Sequence, residues 1–201
     1  MTDSTIETRT EQAARFAVSA DIATLQTERL TLRPLALADA DWISRESGRP
    51  EVANNLALVP APNPALFAEM FILTVRAKPA DIVRAVIERD SGEPLGVVGA
   101  HHKGGGIYGF GYWYGVTAWG RGVATEAGRA LIDALRAAGA ARLTAGYFTT
   151  NPASARVLSK LGFAPTGEDE PQFCIAQMKA LPHRGMALDL ESALHNRSET
   201  R

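Results

Sequence analysis

Along this chain the spacing of apolar residues switches between a period of two and a period near 3.6, and each switch marks a candidate element. Leu30 and Leu32 alternate with polar neighbours, and Leu35 follows Pro34, so a first strand is expected to end at that proline. Asp39 and Asp41 stand where carboxylates favour a helix start, with Trp42 and Ile43 as its apolar contacts. Asn63-Pro64 has the form of an N-cap followed by proline at the first helical position. Leu66, Phe67, Met70, Phe71 and Leu73 follow at helical spacing, and Pro79 closes the segment. Val83, Ala85 and Ile87 alternate with Arg84 and Glu88. A turn at Asp90-Ser91-Gly92-Glu93 then leads to a strand over 95–101, and Lys103-Gly104-Gly105-Gly106 turns the chain into a third strand over 107–114. Three consecutive strands joined by tight turns predict an antiparallel meander.

The strongest helical pattern comes next. Val123, Ala127, Ala130, Leu131, Ala134, Leu135 and Ala138 share one face of a helix that opens near Gly122 and stops at Gly139. Leu143, Ala145 and Tyr147 alternate on the following strand, which, arriving after a helix, should lie parallel to strand 107–114. Asn151-Pro152 repeats the cap-and-proline form, Val157, Leu158 and Leu161 form a packed face, and Gly162 ends that helix. Phe163 opens another strand, while Met186, Leu188 and Leu190 mark the last. Between them, Phe173-Cys174-Ile175-Ala176 has strand character. The pattern describes a mixed α/β (α+β) fold with a mostly antiparallel central sheet and flanking helices. Residues 27–190 form the expected domain. Residues 1–26 read as a flexible extension, with a short helix over 11–18 as the alternative, and 191–201 as a polar tail.

Composition narrows the partners. The 201 residues, 46% hydrophobic, suit one domain with a sizeable core. A net charge of −1 offers nothing to nucleic acid or to an acidic membrane. Cys174 is the sole cysteine, which excludes an internal disulfide and fits a reducing cytoplasm, where it would pack as a small hydrophobe. No apolar run approaches the roughly 20 residues of a membrane helix, and the start lacks a signal-peptide pattern. A soluble, cytoplasmic protein is expected.

Candidate chemistry concentrates where strand 107–114 meets the long helix. Gly120 and Gly122 let the backbone turn sharply and let a bulky anion approach. The unpaired first-turn N–H groups, the positive end of the helix dipole and Arg121 would together make an anion site without a metal. A turn with glycines for geometry alone is the alternative reading. A Walker loop is excluded because Val123 stands where Lys would follow the last glycine, and the dinucleotide fingerprint because Thr125 takes the place of its third small residue. An ATP- or NAD-binding protein therefore fits poorly.

Trp119-Gly120-Arg121-Gly122-Val123-Ala124 resembles Arg/Gln-x-x-Gly-x-Gly/Ala, the coenzyme A signature of the GNAT superfamily of N-acetyltransferases, with Trp119 in the Arg/Gln place. The wider string from Gly111 to Ala127 is similar to the branch that includes the ribosomal-protein N-terminal acetyltransferases. A second block, from Asn151 to Phe163, resembles the next conserved block of that branch, and the likeness extends upstream to Thr27. The resemblance implies a splayed parallel strand pair holding acetyl-CoA. Trp113 and Tyr114 would contact the pantetheine arm through their main chain. Trp119, Gly120, Arg121, Gly122, Val123, Ala124 and Thr125 would form the pyrophosphate cradle, and Asn151 would hydrogen-bond the cofactor. Ser154 matches a serine near the thioester sulfur and is the candidate acid. The Tyr114 N–H is the simplest donor to the carbonyl oxygen as charge develops there. Glu126 is expected to support the helix start electrostatically.

Transfer to an amine also needs a proton acceptor, since an alkyl ammonium has a pKa of about 10.4. Relatives often carry a glutamate where this chain has Gly109, which leaves His101, His102, Glu88 and Tyr147 as candidates. The expected partner is a primary amine, on a small molecule or a protein N-terminus, with no metal, no nucleic acid and no membrane. A catalytically idle acyl-CoA-binding module is the alternative. Pairing of the last strands between copies would give a homodimer.

Overall fold

The computed structural model describes residues 24–167 and 169–190. The helix expected over 11–18 and the tail from 191 lie outside them. Strands β1 (Leu25–Gln26), β2 (Leu30–Pro34), β3 (Ile82–Glu88), β4 (Pro94–His102) and β5 (Ile107–Tyr114) run as an antiparallel succession. The sheet thus begins two residues before the expected boundary at Thr27. It continues through β6 (Arg142–Phe148), β9 (Lys179–Asp189) and β7 (Ala164–Pro165), with β8 (Glu170–Cys174) also on β9. Strand β9 pairs with β6 through 183–189 along one edge and with β8 and β7 through 179–183 and 186–187 along the other. The expected strand over 173–176 lies earlier, because the chain turns at 175–178 with Met178 at φ 51°.

Helices cover both faces. Val123–Ala137 (α4) and Pro152–Lys160 (α5) pack on one face, with Leu131, Leu135, Leu143 and Leu158 in its core. Ala40–Ser47 (α1) and Ala65–Arg76 (α3) pack on the other, around Ile43, Ile72, Val83 and Val97. Pro50–Ala53 (α2) and the loop after it connect α1 to α3. Both faces of β3 are therefore apolar, and even its Arg84 is buried. Two sequence expectations shift here. Helix α3 is capped by Pro64, whose carbonyl accepts from Phe67 and Ala68. Asn63 is drawn instead to α1, donating to Ser47 Oγ at 2.9 Å and accepting from Ser44 Oγ at 2.6 Å. Asp39 does more than favour a helix start. Buried at 3% exposure, it takes both ends of the Arg33 guanidinium, the Ala36 N–H and the Trp42 indole N–H, which fixes Trp42 under the sheet.

The feature that positions the site is a split in the sheet. β5 and β6 pair in parallel only at Ile107–Arg142, Tyr108–Leu143 and Gly109–Thr144. Beyond these, β5 stays with β4 as far as Gly96–Tyr114, and β6 stays with β9 as far as Phe148–His183. A wedge opens between them, and α4 begins at its wide end.

Candidate active site

Ladder parity decides which groups face the wedge. Lys103 N–H donates to Ile107 O and Gly115 N–H to Leu95 O, so the odd-numbered residues of β5 turn their main chain towards β4. Phe110, Tyr112 and Tyr114 consequently turn theirs towards the wedge. This corrects one expectation. The Trp113 main chain belongs to the β4 ladder opposite Val97, and its ring packs on Trp42 with centroids 5.7 Å apart.

At the wide end, Gly122 takes φ 79° and ψ 0°, a left-handed conformation that lets the chain enter α4 abruptly. With no side chain it cannot cap the helix. Its carbonyl accepts from Thr125 and Glu126 at 3.1 Å each, and the N–H groups of Val123 and Ala124 have no acceptor inside the helix. The loop before it is braced twice. Trp119 Nε1 donates to Tyr114 O at 2.9 Å, which ties the loop to the end of β5. Arg29 Nη1 donates to Arg121 O at 3.2 Å while its Nε and Nη2 grip Glu126 at 2.8 and 2.5 Å. Glu126 also accepts from Thr27 Oγ1, so it clamps the β1–β2 turn onto the helix rather than serving the dipole alone. Burial would raise the Glu126 carboxyl, but these bonds outweigh it and hold the group below its ordinary range.

Arg121 departs from expectation. Its guanidinium pairs with Glu88 and donates to Thr117 O, and it does not line the cavity, so any contribution to an anion there comes through its backbone. The same contact disposes of Glu88 as a base, because hydrogen bonds from Ser91 and Arg121 hold its carboxylate outside the cavity.

Across the wedge, Asn151 caps α5 by accepting the Ser154 N–H at 3.1 Å. The Ser154 hydroxyl meets the Tyr112 hydroxyl at 3.0 Å, a partner that the sequence did not disclose. Burial pushes Tyr112 up to about 12, so it stays protonated at neutral pH. Burial pushes Tyr114 further in the same direction, and its hydroxyl lies in the core without a hydrogen-bond partner among the described residues.

Of the residues expected at the site, all but Arg121 line one cavity of about 830 Å³: Trp113, Tyr114, the loop and first turn from Trp119 to Thr125, Asn151 and Ser154. Its other half lies on the opposite face of β4 and β5, under α1 and α3. His101 stands at its edge, with Nδ1 on Asp81 Oδ2 at 2.8 Å, while Asp81 Oδ1 accepts the His102 N–H. The His102 ring instead faces Tyr108 at 5.1 Å, off the cavity. Where a Gly109 side chain would begin, the Lys103 stem passes at 2.8 Å on its way to Thr144, which leaves no room for a carboxylate without moving it. Tyr147 lines the cavity, and so does His183, which precedes Met186, Leu188 and Leu190, the residues that mark the last strand in the sequence. Its ring lies over Gly146, where a Cβ would overlap it, and burial keeps its pKa below the ordinary value despite Asp169 and Glu170.

The cavity has main-chain groups of β5 along one wall and the first-turn N–H groups of α4 at one end, donors of the kind that amides and anions accept. Comparison with known proteins identifies the family. The family described as Acetyltransferase (GNAT) domain matches residues 29–164. The chain is similar to the uncharacterized N-acetyltransferase p20 of Bacillus licheniformis, at 30% identity over 149 residues, covering 72% of this chain and 84% of that one. Among solved structures it resembles the ribosomal-protein-S5-alanine acetyltransferase of Vibrio fischeri, with a TM-score of 0.71 and 18% identity over 84% of this chain and 97% of that one. It also resembles the spermidine N-acetyltransferase of Vibrio cholerae in complex with CoA and spermine, with a TM-score of 0.71 and 15% identity over 82% and 97%. The two structural likenesses establish the fold alone.

Proposed function

The chain belongs to the GNAT acetyltransferase family, and we propose that it transfers the acetyl group of acetyl-CoA directly to a primary amine while both are bound. Supporting this reading is the wedge between β5 and β6, which joins an uncapped helix N-terminus to a second, apolar hollow across the strand. The amine sits on a small molecule or a protein N-terminus. The motifs around Trp119 and Asn151 support placement near the ribosomal-protein N-terminal acetyltransferases.

Acetyl-CoA supplies an activated thioester carbonyl. The N–H groups of Val123 and Ala124, with the loop Trp119, Gly120, Arg121 and the first turn through Thr125, hold the pyrophosphate. The Tyr114 main chain and Asn151 hold the arm. The Tyr114 N–H, turned into the wedge, donates to the carbonyl oxygen as negative charge gathers there. His101 takes the amine proton: its Nδ1–H is fixed on Asp81, so Nε2 is the basic nitrogen. The acceptor nitrogen forms the C–N bond as the C–S bond breaks, and the second proton leaving that nitrogen is relayed to the departing sulfur through the Ser154 hydroxyl, which takes one proton as it gives the other and has Tyr112 as its hydrogen-bond partner.

A thermal-shift comparison of acetyl-CoA, CoA, ATP and NAD, followed by thiol release with added amines, tests the reading. Stabilisation by the CoA species alone and amine-dependent release are expected. Equal protection by ATP would overturn the cradle, and binding without release on any amine or peptide would favour an idle binding module.

A further inference from the structure

The acceptor half of the cavity carries information about its substrate. On that face of the sheet Gly99 and Gly111 lie directly opposite each other; the Val83 side chain fills the space over Gly99, whereas a Cβ built on Gly111 meets nothing within 4 Å. The walls are Val83, Trp113, Phe71 and Phe67. Leu58 and Phe67, at its mouth, are 79% and 52% exposed, so apolar surface faces water until something covers it. No carboxylate lines the cavity among the described residues. The nearby acids are engaged elsewhere: Asp81 with His101, and Glu46 with Arg45 and Arg49. The two cations that do line it, Arg156 and Lys160, lie on α5, across the wedge from this hollow.

Resting on the acetyltransferase reading, we propose that the acceptor is a small primary monoamine with an aromatic or branched apolar body, and that the glycine floor at Gly111 sets the size of that body. One nitrogen must reach the wedge and lose a proton, and His101 at the edge serves that need. A polyamine would bring further ammonium groups into a hollow with no carboxylate to meet them, and burying an unpaired charge is strongly unfavourable. An apolar body instead covers Trp113, Phe67 and Leu58 and gains from each.

The test uses the full chain with saturating acetyl-CoA. Thiol release is followed with 2-phenylethylamine, tryptamine, isoamylamine, putrescine, spermidine and short peptides beginning with alanine or serine. Amine binding to the CoA complex is followed in parallel by tryptophan fluorescence. The apolar monoamines should exceed putrescine and spermidine in kcat/KM by at least about ten-fold, the discrimination an apolar pocket supports. Gly111→Val, whose new side chain would enter the hollow, should lower kcat/KM for 2-phenylethylamine by at least about ten-fold, leave the thermal shift with acetyl-CoA intact and spare isoamylamine more. Preference for a polyamine or a peptide, absence of binding by the apolar amines, or indifference to Gly111→Val would overturn the proposal. Loss of acetyl-CoA binding by the wild-type protein would instead overturn the function on which it rests.

Discussion

Glu126→Gln is the perturbation that most directly connects the clamp beneath the cradle to cofactor binding. The Glu126 carboxylate accepts from Arg29 Nε and Nη2 at 2.8 and 2.5 Å, from the Arg29 N–H at 3.2 Å and from Thr27 Oγ1 at 2.5 Å. Hydrogen bonds to a charged group contribute about 1.5–3 kcal/mol. The Arg29 side chain is 48% exposed, and solvent screening reduces what the ion pair adds, while Gln keeps one neutral acceptor. A loss of about 2 kcal/mol follows, which for a domain of this size lowers Tm by about 4–8 °C. Because Arg29 also donates to Arg121 O, a loosened clamp frees the loop that precedes α4, and acetyl-CoA should bind about five- to ten-fold more weakly. Differential scanning calorimetry and isothermal titration read the two effects. Asp133→Asn is the control, since its pair with Arg136 is exposed on both sides and should contribute less than about 0.5 kcal/mol. The Glu126 carboxyl is held below its ordinary value in the folded state, so its stabilisation is complete above that value and is lost as pH falls through the lowered one. In Glu126→Gln that part of the acid-side decline should vanish. A Tm within about 1 °C of wild type would refute the energetic argument. A large Tm loss with unchanged acetyl-CoA affinity would refute the link between clamp and cradle.

Two further outcomes are expected. Ser154→Ala keeps the cap on α5, because that bond uses the Ser154 N–H. Acetyl-CoA affinity should therefore persist while kcat falls by about a hundred-fold in steady-state thiol release, and an unchanged kcat would leave Ser154 a capping role only. Burial holds His183 below its ordinary pKa, so the unfolded chain binds its proton more readily. Stability should be intact above about pH 6.5 and decline as pH falls below it, and melting curves of His183→Phe across that range should lose this component.

Much of the molecule was legible before any tertiary information. Periodicity placed α3, α4 and α5, each with one buried stripe, and short apolar runs bounded by turn residues placed β2 to β6, of which β3 and β4 are buried on both faces. The turn at Gly122 and the cap at Asn151 were legible as well, since the residue that satisfies the local backbone lies within a few positions of it. What the chain order could not show were pairings between residues far apart in sequence. Arg121 turned to Glu88, Arg29 to Glu126, Ser154 to Tyr112 and Asp81 to His101, because charges and hydroxyls take the partner that packing brings near, at separations from 20 to 97 residues. Ladder parity likewise assigned the Trp113 main chain to β4 and those of Tyr112 and Tyr114 to the wedge. The sequence by itself determined most of the elements and the glycine turn into α4, whose physics is local. Only the tertiary structure decided which side chains line the cavity and that no acid does so among the described residues, because both follow from how the sheet divides between β5 and β6.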